Sequence, residues 1–569
     1  MPTPLFLGIA LLAAAQSAAS SPDRILFNAR VFTADAPRPW AEAFAVHDGR
    51  IVAVGTSQEI LGLAGQSTER IDLQGALVSP GFGDSHIHFM SGSLTLSAVN
   101  LDGLTTREQI LAHIAAHAKA NPRATWITGR GWSYSAFPGG LPRREWLDEA
   151  VADRPVFLES YDGHTGWANT KALALAGIGR ETKDPANGEI VRDEKGEATG
   201  ALKESAQRLV EALMPQPSSE DRYRALKAGL DLAAAYGITF AHNAGFDPAD
   251  LPVYERVLQE GALKVRFYNA MYFVPDPDTE ALDRLRQLRA KHHGPLFRFG
   301  AVKTLLDGVV ESKTAWMLDP YAQGGGTGTP NYAIEVFNRS VSAYDRAGFQ
   351  LFVHAIGDRA IRASLDAFEH AARTNGPRDR RHRLEHIEAP QLSDLARFKP
   401  LGVIASTQAL FATPDDEDNT TGPYYGNLGP ERAARAMAFK AIDDAGAVQA
   451  FGSDWPVYSM EVLKGIYTAV TRETIRGNPK GGLQPQSRIS PAAALRHFTV
   501  DAAYAGFAER EHGRIAPGLF ADYVVLSRDI TAIAAKDILK TRVLLTVMGG
   551  KETYRSPGFS SGTPPEPKE

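Results

Sequence analysis

Four histidines, one lysine and one aspartate stand along this chain in an order suited to metal-assisted hydrolysis. They are His86 and His88 in SPGFGDSHIHF, Lys303 in FGAVKTLLDG, His354 in LFVHAIGD, His386 in RLEHIE and Asp454 in FGSDWPV. Neutral imidazole nitrogen and carboxylate oxygen hold a divalent cation while leaving coordination positions open, and such a cation makes a nucleophile of water near neutral pH. His86 and His88 are two residues apart, so in a strand both rings face the same side. Asp454 fits as a ligand and proton acceptor; the bland alternative is a turn aspartate. Lys303 requires a change of state, because an ammonium buried beside cations is strongly disfavoured. It enters as a neutral amine or as a carbamate formed with carbon dioxide, whose two oxygens reach two metals. Lys203, in TGALKESA, is the competing lysine, and it falls outside the runs that build the barrel.

Those residues must be brought together by eight short apolar runs: ALVSPGFGDSHIHF, ITFAHNAG, KVRFYNAMYF, FRFGAVKTLLDG, FQLFVHAIGD, HRLEHIE, GVIASTQAL and AVQAFGSDWPV. Helical patterns such as EDRYRALKAGLDLAAAYG and SVSAYDRAGF separate most of them, and this alternation reads as parallel α/β architecture. The fold class expected is α/β, a (β/α)8 TIM barrel whose strand ends carry the chemistry. The barrel is assigned to residues 81–94 and 236–514. Residues 95–235 are too long for one connection and hold their own strands and helices, so they read as an inserted α/β subdomain over the mouth. Short β-like runs at 23–80 and 515–555 suggest one composite β-sandwich built from both ends. The Pro- and Ser-rich stretch 556–569 reads as a disordered tail.

Composition narrows the class. A net charge of −5 with 44% hydrophobic residues describes an ordinary globular protein and argues against a nucleic-acid partner. Cysteine is absent, which removes disulfides, thiolate ligands and a cysteine nucleophile. The start, MPTPLFLGIALLAAAQSAAS, has an apolar stretch too short to span a bilayer and then small residues. It reads as a signal peptide over 1–19, cleaved near Ala19, and implies a periplasmic or secreted protein. No membrane span is expected.

Taken together, HIH, VK, VHAIGD, EHIE and GSDWPV resemble the amidohydrolase superfamily. The chain is more similar still to amidohydrolase family 3, the branch with N-substituted formamide deformylase-like enzymes. The likeness extends to GRGW at Gly129–Trp132, LPRREWLDEA at Leu141–Ala150, DGHTGWANTKAL at Asp162–Leu173 and GALKESA at Gly200–Ala206. It implies a barrel with a composite sandwich and a metal centre, usually zinc, that hydrolyses C–N bonds of small molecules. Carried over, His86, His88 and Asp454 would hold the more buried of two zinc ions and His354 and His386 the outer one. Lys303, N6-carboxylated, would bridge, and Asp454 would move the proton. Homo-oligomers are common in such families. Relatives acting on D-amino-acid amides use a cysteine ligand, which this chain cannot supply.

Substrate contacts are sought in the insertion and the strand-end loops: Trp132, His164, Trp167, Glu204, Asp307 and Trp455. His164 is the candidate to hydrogen-bond a substrate carbonyl or oxyanion, against a purely structural loop role. Glu204 braces the metal site or caps a helix, and Asp307 fixes a turn or touches ligand. The leading expectation is an amide hydrolase. A mononuclear deaminase of a cyclic imine, and a lactone or phosphotriester hydrolase, are the alternatives on the same barrel.

Overall fold

The computed structural model describes residues 21–122, 124–413 and 422–562. The expected signal peptide lies outside the described residues, as do residues 563–569 of the expected tail.

Eight parallel strands form the central sheet: β1 (Phe82–Ile87), β2 (Ile238–Phe246), β3 (Arg266–Tyr272), β4 (Phe297–Leu305), β5 (Gln350–Ala355), β6 (Arg383–His386), β7 (Ile404–Gln408) and β8 (Gln449–Gly452). Each of the eight expected runs supplies one of them. The first run supplies two strands, because Leu77–Pro80 belongs to a different sheet from β1. Most of these strands are buried throughout, as parallel strands covered by helices must be, which is why they read as apolar runs rather than alternating ones.

The barrel closes where β8 meets β1. Asp454 N–H donates to His86 O at 2.7 Å and His88 N–H to Trp455 O at 2.8 Å. The Asp84 carboxylate accepts Ser453 N–H at 3.0 Å, and burial raises its pKa to about 7 against the bonds from Ser453. Gly452 allows the approach, since a Cβ there would stand 2.5 Å from His86 N.

Strand β6 has the weakest sequence signal and the most polar barrel interior. Arg383 is fully buried, donating to Glu385 at 2.8 and 2.9 Å and to Ser406 at 2.9 Å, with His242 Nδ1 at 2.9 Å and Phe352 beneath its guanidinium. A buried charge is tolerated when paired and hydrogen-bonded in this way.

Both ends of the chain share a sandwich. One sheet orders Arg50–Gly55, Ala43–His47, Arg24–Phe27 and Glu69–Asp72. The other orders Lys551–Arg555, Val543–Met548, Tyr523–Leu526, Leu77–Pro80, Arg30–Phe32 and Trp40–Ala41. Leu26, Phe44, Val78, Tyr523, Val525 and Leu545 bury their side chains between the sheets. Arg266 of β3 ties this unit to the barrel through Asp522, at 2.7 and 3.0 Å. The expectation of a disordered tail is corrected for residues 556–562: Phe559 joins the sandwich core and Gly562 N–H donates to Asp72 O at 3.0 Å.

The insertion has its own six-stranded sheet, ordered Gly188–Arg192, Ala198–Glu204, Thr165–Ala168, Val156–Ser160, Ile127–Trp132 and Val99–Asn100. The stretch GWANTKALALAG begins as strand and turns helical only at Thr170–Leu175, where Asn169 caps the helix by accepting Ala172 N–H.

Candidate metal centre and catalytic cavity

All six candidate ligands sit in or within two residues of the carboxyl ends of barrel strands. His86 and His88 end β1, Lys303 lies two residues before the end of β4, His354 and His386 end β5 and β6, and Asp454 follows β8. His386 and Asp454 adopt φ of +76° and +58°, a region that side-chain-bearing residues rarely enter and that concentrates at functional sites.

Neighbouring groups fix which nitrogen three of the rings offer. His86 Nδ1 is 2.6 Å from Glu385 Oε2, leaving Nε2 beside Lys303 Nζ at 3.2 Å and Asp454 Oδ1 at 3.4 Å. His88 Nε2 approaches Asp454 Oδ1 at 3.1 Å. His386 Nδ1 donates to Gln408 Oε1 at 2.9 Å, and its Nε2 is buried with no hydrogen-bond partner. His354 Nε2 donates to Gly308 O at 3.1 Å, which leaves Nδ1 as its ligating nitrogen, and the ring centroid lies 4.4 Å from that of His386. Donation of the second ring nitrogen to a carboxylate or carbonyl is the arrangement that orients histidine ligands.

Electrostatics favour the ligating forms. Burial holds His86, His354 and His386 well below the ordinary imidazole value, so all three are neutral. Burial alone would raise Asp454, but His86, His88 and Lys303 hold it below the usual carboxylate range. Burial lowers Lys303 to about 8 against the pull of Glu385 and Asp454.

The donor set suits a divalent metal. One donor atom each from His86, His386 and Asp454 lies within 4.8 Å of the others. The orphaned His386 Nε2, buried where an unmade hydrogen bond is costly, is an atom that a cation would satisfy.

His88, Lys303, His354, His386 and Asp454 line a cavity of about 1650 Å³ between barrel and insertion, and His86 is fully buried behind them. Of the six expected substrate contacts, His164 and Glu204 line the cavity. The other four expected contacts do not, and the reasons are physical. Trp132 and Trp167 are fully buried in the insertion core, their indole N–H groups satisfied by Leu158 O at 3.0 Å and Arg143 O at 2.9 Å. Trp455 packs on Phe89 and against Gly92. Asp307 is a loop clamp, accepting N–H bonds from Trp316, Ile356 and Gly357 at 2.8, 3.1 and 2.9 Å; burial pushes its pKa to about 7. Lys203 pairs with Glu189 at 2.9 Å on the insertion and does not line the cavity.

The sequence reading passed over the groups that hold the ligands, Glu385 and Gln408, and much of the cavity wall, including Phe411, Tyr424, Tyr458 and Glu388. Burial and the Glu311 carboxylate push Glu388 well above the usual range. The one available signal was position, since Gln408 ends β7.

The model of the Amidohydrolase family matches residues 69–554. This chain belongs to that family. It is 33% identical to Protein LONG AFTER FAR-RED 3 of Arabidopsis thaliana, over 94% of this chain and 91% of that one. It is 31% identical to the putative amidohydrolase YtcJ of Bacillus subtilis (90% and 96%), and 30% to the N-substituted formamide deformylase of Arthrobacter pascens (94% and 99%). Among solved structures, an uncharacterized metal-dependent hydrolase from Pyrococcus furiosus aligns with a TM-score of 0.68 at 26% identity, covering 89% of this chain and 99% of that one. The chain is thus a member of a metal-dependent hydrolase family acting on small molecules. Among the described residues, no helix is long and apolar enough to cross a membrane.

Proposed function

We propose that the protein hydrolyses a C–N bond of the amide type in a small molecule, using two zinc ions held by His86, His88, Lys303, His354, His386 and Asp454. The observation that carries this reading is that five of these side chains, His88, Lys303, His354, His386 and Asp454, line one cavity with His86 packed against Lys303 and Asp454 behind them, three imidazoles being kept neutral and one ring nitrogen orphaned. Bound there, the zinc would supply Lewis acidity and lower the pKa of water.

The chain's own residues do the rest. Lys303, buried and 3.2 Å from His86 Nε2, serves as an N6-carboxylated ligand, because a cationic amine at that distance would oppose metal binding. Asp454, an anion beside His86 and His88, takes a proton from the attacking water and returns it to the leaving nitrogen. The similarity to a formamide deformylase over nearly the whole chain supports an amide-type substrate.

Turnover of a panel of amides, lactones, phosphotriesters and cyclic imines, before and after exhaustive chelation, tests this. Amide hydrolysis lost on chelation, restored by zinc and lowered about 10³-fold in Asp454→Asn is the expected result. Deamination alone with one metal per chain, or activity unaffected by chelation, would overturn it.

A further inference from the structure

Two of the motifs in the insertion, DGHTGW and GALKES, are not used by the metal centre, yet the fold brings them together at its edge. Glu204 ends one strand of the insertion sheet, His164 stands directly before the neighbouring strand, and Thr314 lies in the loop after β4. Glu204 Oε2 and Oε1 accept from His164 Nδ1 at 3.0 and 3.1 Å, and Thr314 Oγ donates to Glu204 Oε1 at 2.8 Å. The backbone locks the pair, with Glu204 N–H donating to His164 O at 3.0 Å and His164 N–H donating to Asp162 Oδ1 at 3.0 Å. Glu204 is held at φ +49°, a conformation that costs free energy unless the surroundings impose it. Gly308 makes room, since a Cβ there would lie 2.1 Å from Thr314 Oγ and 3.0 Å from Glu204 Oε1.

With Nδ1 committed to Glu204, Nε2 is the ring nitrogen left to meet a ligand, and it has no hydrogen-bond partner among the described residues. The ring lines the cavity, its centroid 5.8 Å from that of His354. A donor placed beside a hydrolytic centre matters most where negative charge develops. A carboxylate on one ring nitrogen favours the ring that carries a proton on the other as well.

We propose that His164 Nε2–H donates a hydrogen bond to the acyl oxygen of the substrate, with Glu204 and Thr314 as the positioning residues that aim it. As water adds to the acyl carbon, the C=O π pair moves onto that oxygen; the proton stays on Nε2 and the hydrogen bond strengthens. The insertion therefore supplies part of the catalytic centre. This rests on the hydrolytic reading above but needs only an acyl oxygen, in an amide or a lactone.

Side-chain length gives the test. Gln at 164 can place an N–H near the Nε2 position, whereas Asn places one only near Nδ1. His164→Asn is expected to lose about 10²–10³-fold in kcat/KM, mainly in kcat. His164→Gln should recover about tenfold of that loss, and Glu204→Gln should lose about tenfold, with weaker binding of a phosphonamidate analogue in step with kcat/KM. Zinc content should stay at the wild-type level in all three. His164→Asn within about threefold of wild-type kcat, equal losses in the Asn and Gln variants, or losses explained by missing zinc would overturn the assignment. If His164→Asn does not fold, the Glu204→Gln kcat and analogue affinity decide, and wild-type values there reject the proposal. Failure of the amide reading is distinct, because lactone turnover without amide turnover would still report on His164.

Discussion

At the residue scale, the metal site is a set of side chains whose second atoms are already spoken for. Glu385, Gln408 and Gly308 each take one ring nitrogen, so the other is aimed without a search of rotamers. Lys303 has no such anchor, its Nζ lying 3.2 Å from His86 Nε2. Removing it should expose its role directly. Lys303→Ala is expected to lose bound metal and activity together, with partial recovery of both on adding acetate or propionate, whose carboxylates replace the carbamate oxygens; metal analysis and turnover check this, and unchanged metal content would reject the bridge. The six candidate donors stand out in the sequence because their types are chemically distinctive and each follows a strand signal, and the fold brings them to the carboxyl ends of the barrel strands. The tryptophans of the insertion pack into its core rather than line the cavity, for an equally local reason. A tryptophan beside a motif looks available, but burying its ring and satisfying its N–H with a carbonyl is the more favourable fate, as Trp132 and Trp167 show.

At the element scale, the barrel's strands were readable from their apolar runs, and their closure was not. Nothing in AVQAFGSDWPV announces that Gly452 must let His86 approach, or that Asp84 and Ser453 clamp β1 to β8. The contact is between strands 369 residues apart, so no local pattern encodes it. Strand β6 carries only a weak apolar signal because its stabilisation comes from Arg383 pairing inside the barrel rather than from apolar side chains. Gly452→Ala places a methyl 2.5 Å from His86 N and 2.8 Å from its Cβ. It is expected to cost about 1–3 kcal/mol in urea denaturation and to weaken metal binding, because the strain falls on a ligand's backbone. A variant with wild-type midpoint and metal affinity would show that the closure is looser than described.

At the scale of the whole molecule, two bodies share one cavity and a third lies outside it: the barrel supplies the candidate ligands, the insertion supplies His164 and Glu204, and the sandwich joins both chain ends to the barrel through Arg266 and Asp522. The sequence showed the bracketing β segments, but not that Phe559 would fold back into their core. Stability of the assembly should depend on pH through His497, which bridges Asp501 at 2.9 Å and Asp443 at 3.2 Å. Burial alone would lower this imidazole, but the two carboxylates raise it to about 9. A folded-state pKa above the unfolded value near 6.5 stabilises fully below about pH 6.5, and the contribution fades as pH rises through about 9. Chemical denaturation is expected to show a loss on the order of 3 kcal/mol across that window, and His497→Gln should flatten it. An unchanged slope in the variant would assign the effect elsewhere.

The central claim is that the barrel mouth holds two metal ions among four histidines, one modified lysine and one aspartate. Anomalous diffraction at the zinc edge from crystals of the zinc-loaded protein tests it most directly. The account predicts two peaks inside the ring formed by His86, His88, Lys303, His354, His386 and Asp454, with density for a carboxyl group on Lys303 Nζ. No peak there, or a single peak with an unmodified lysine, would contradict it.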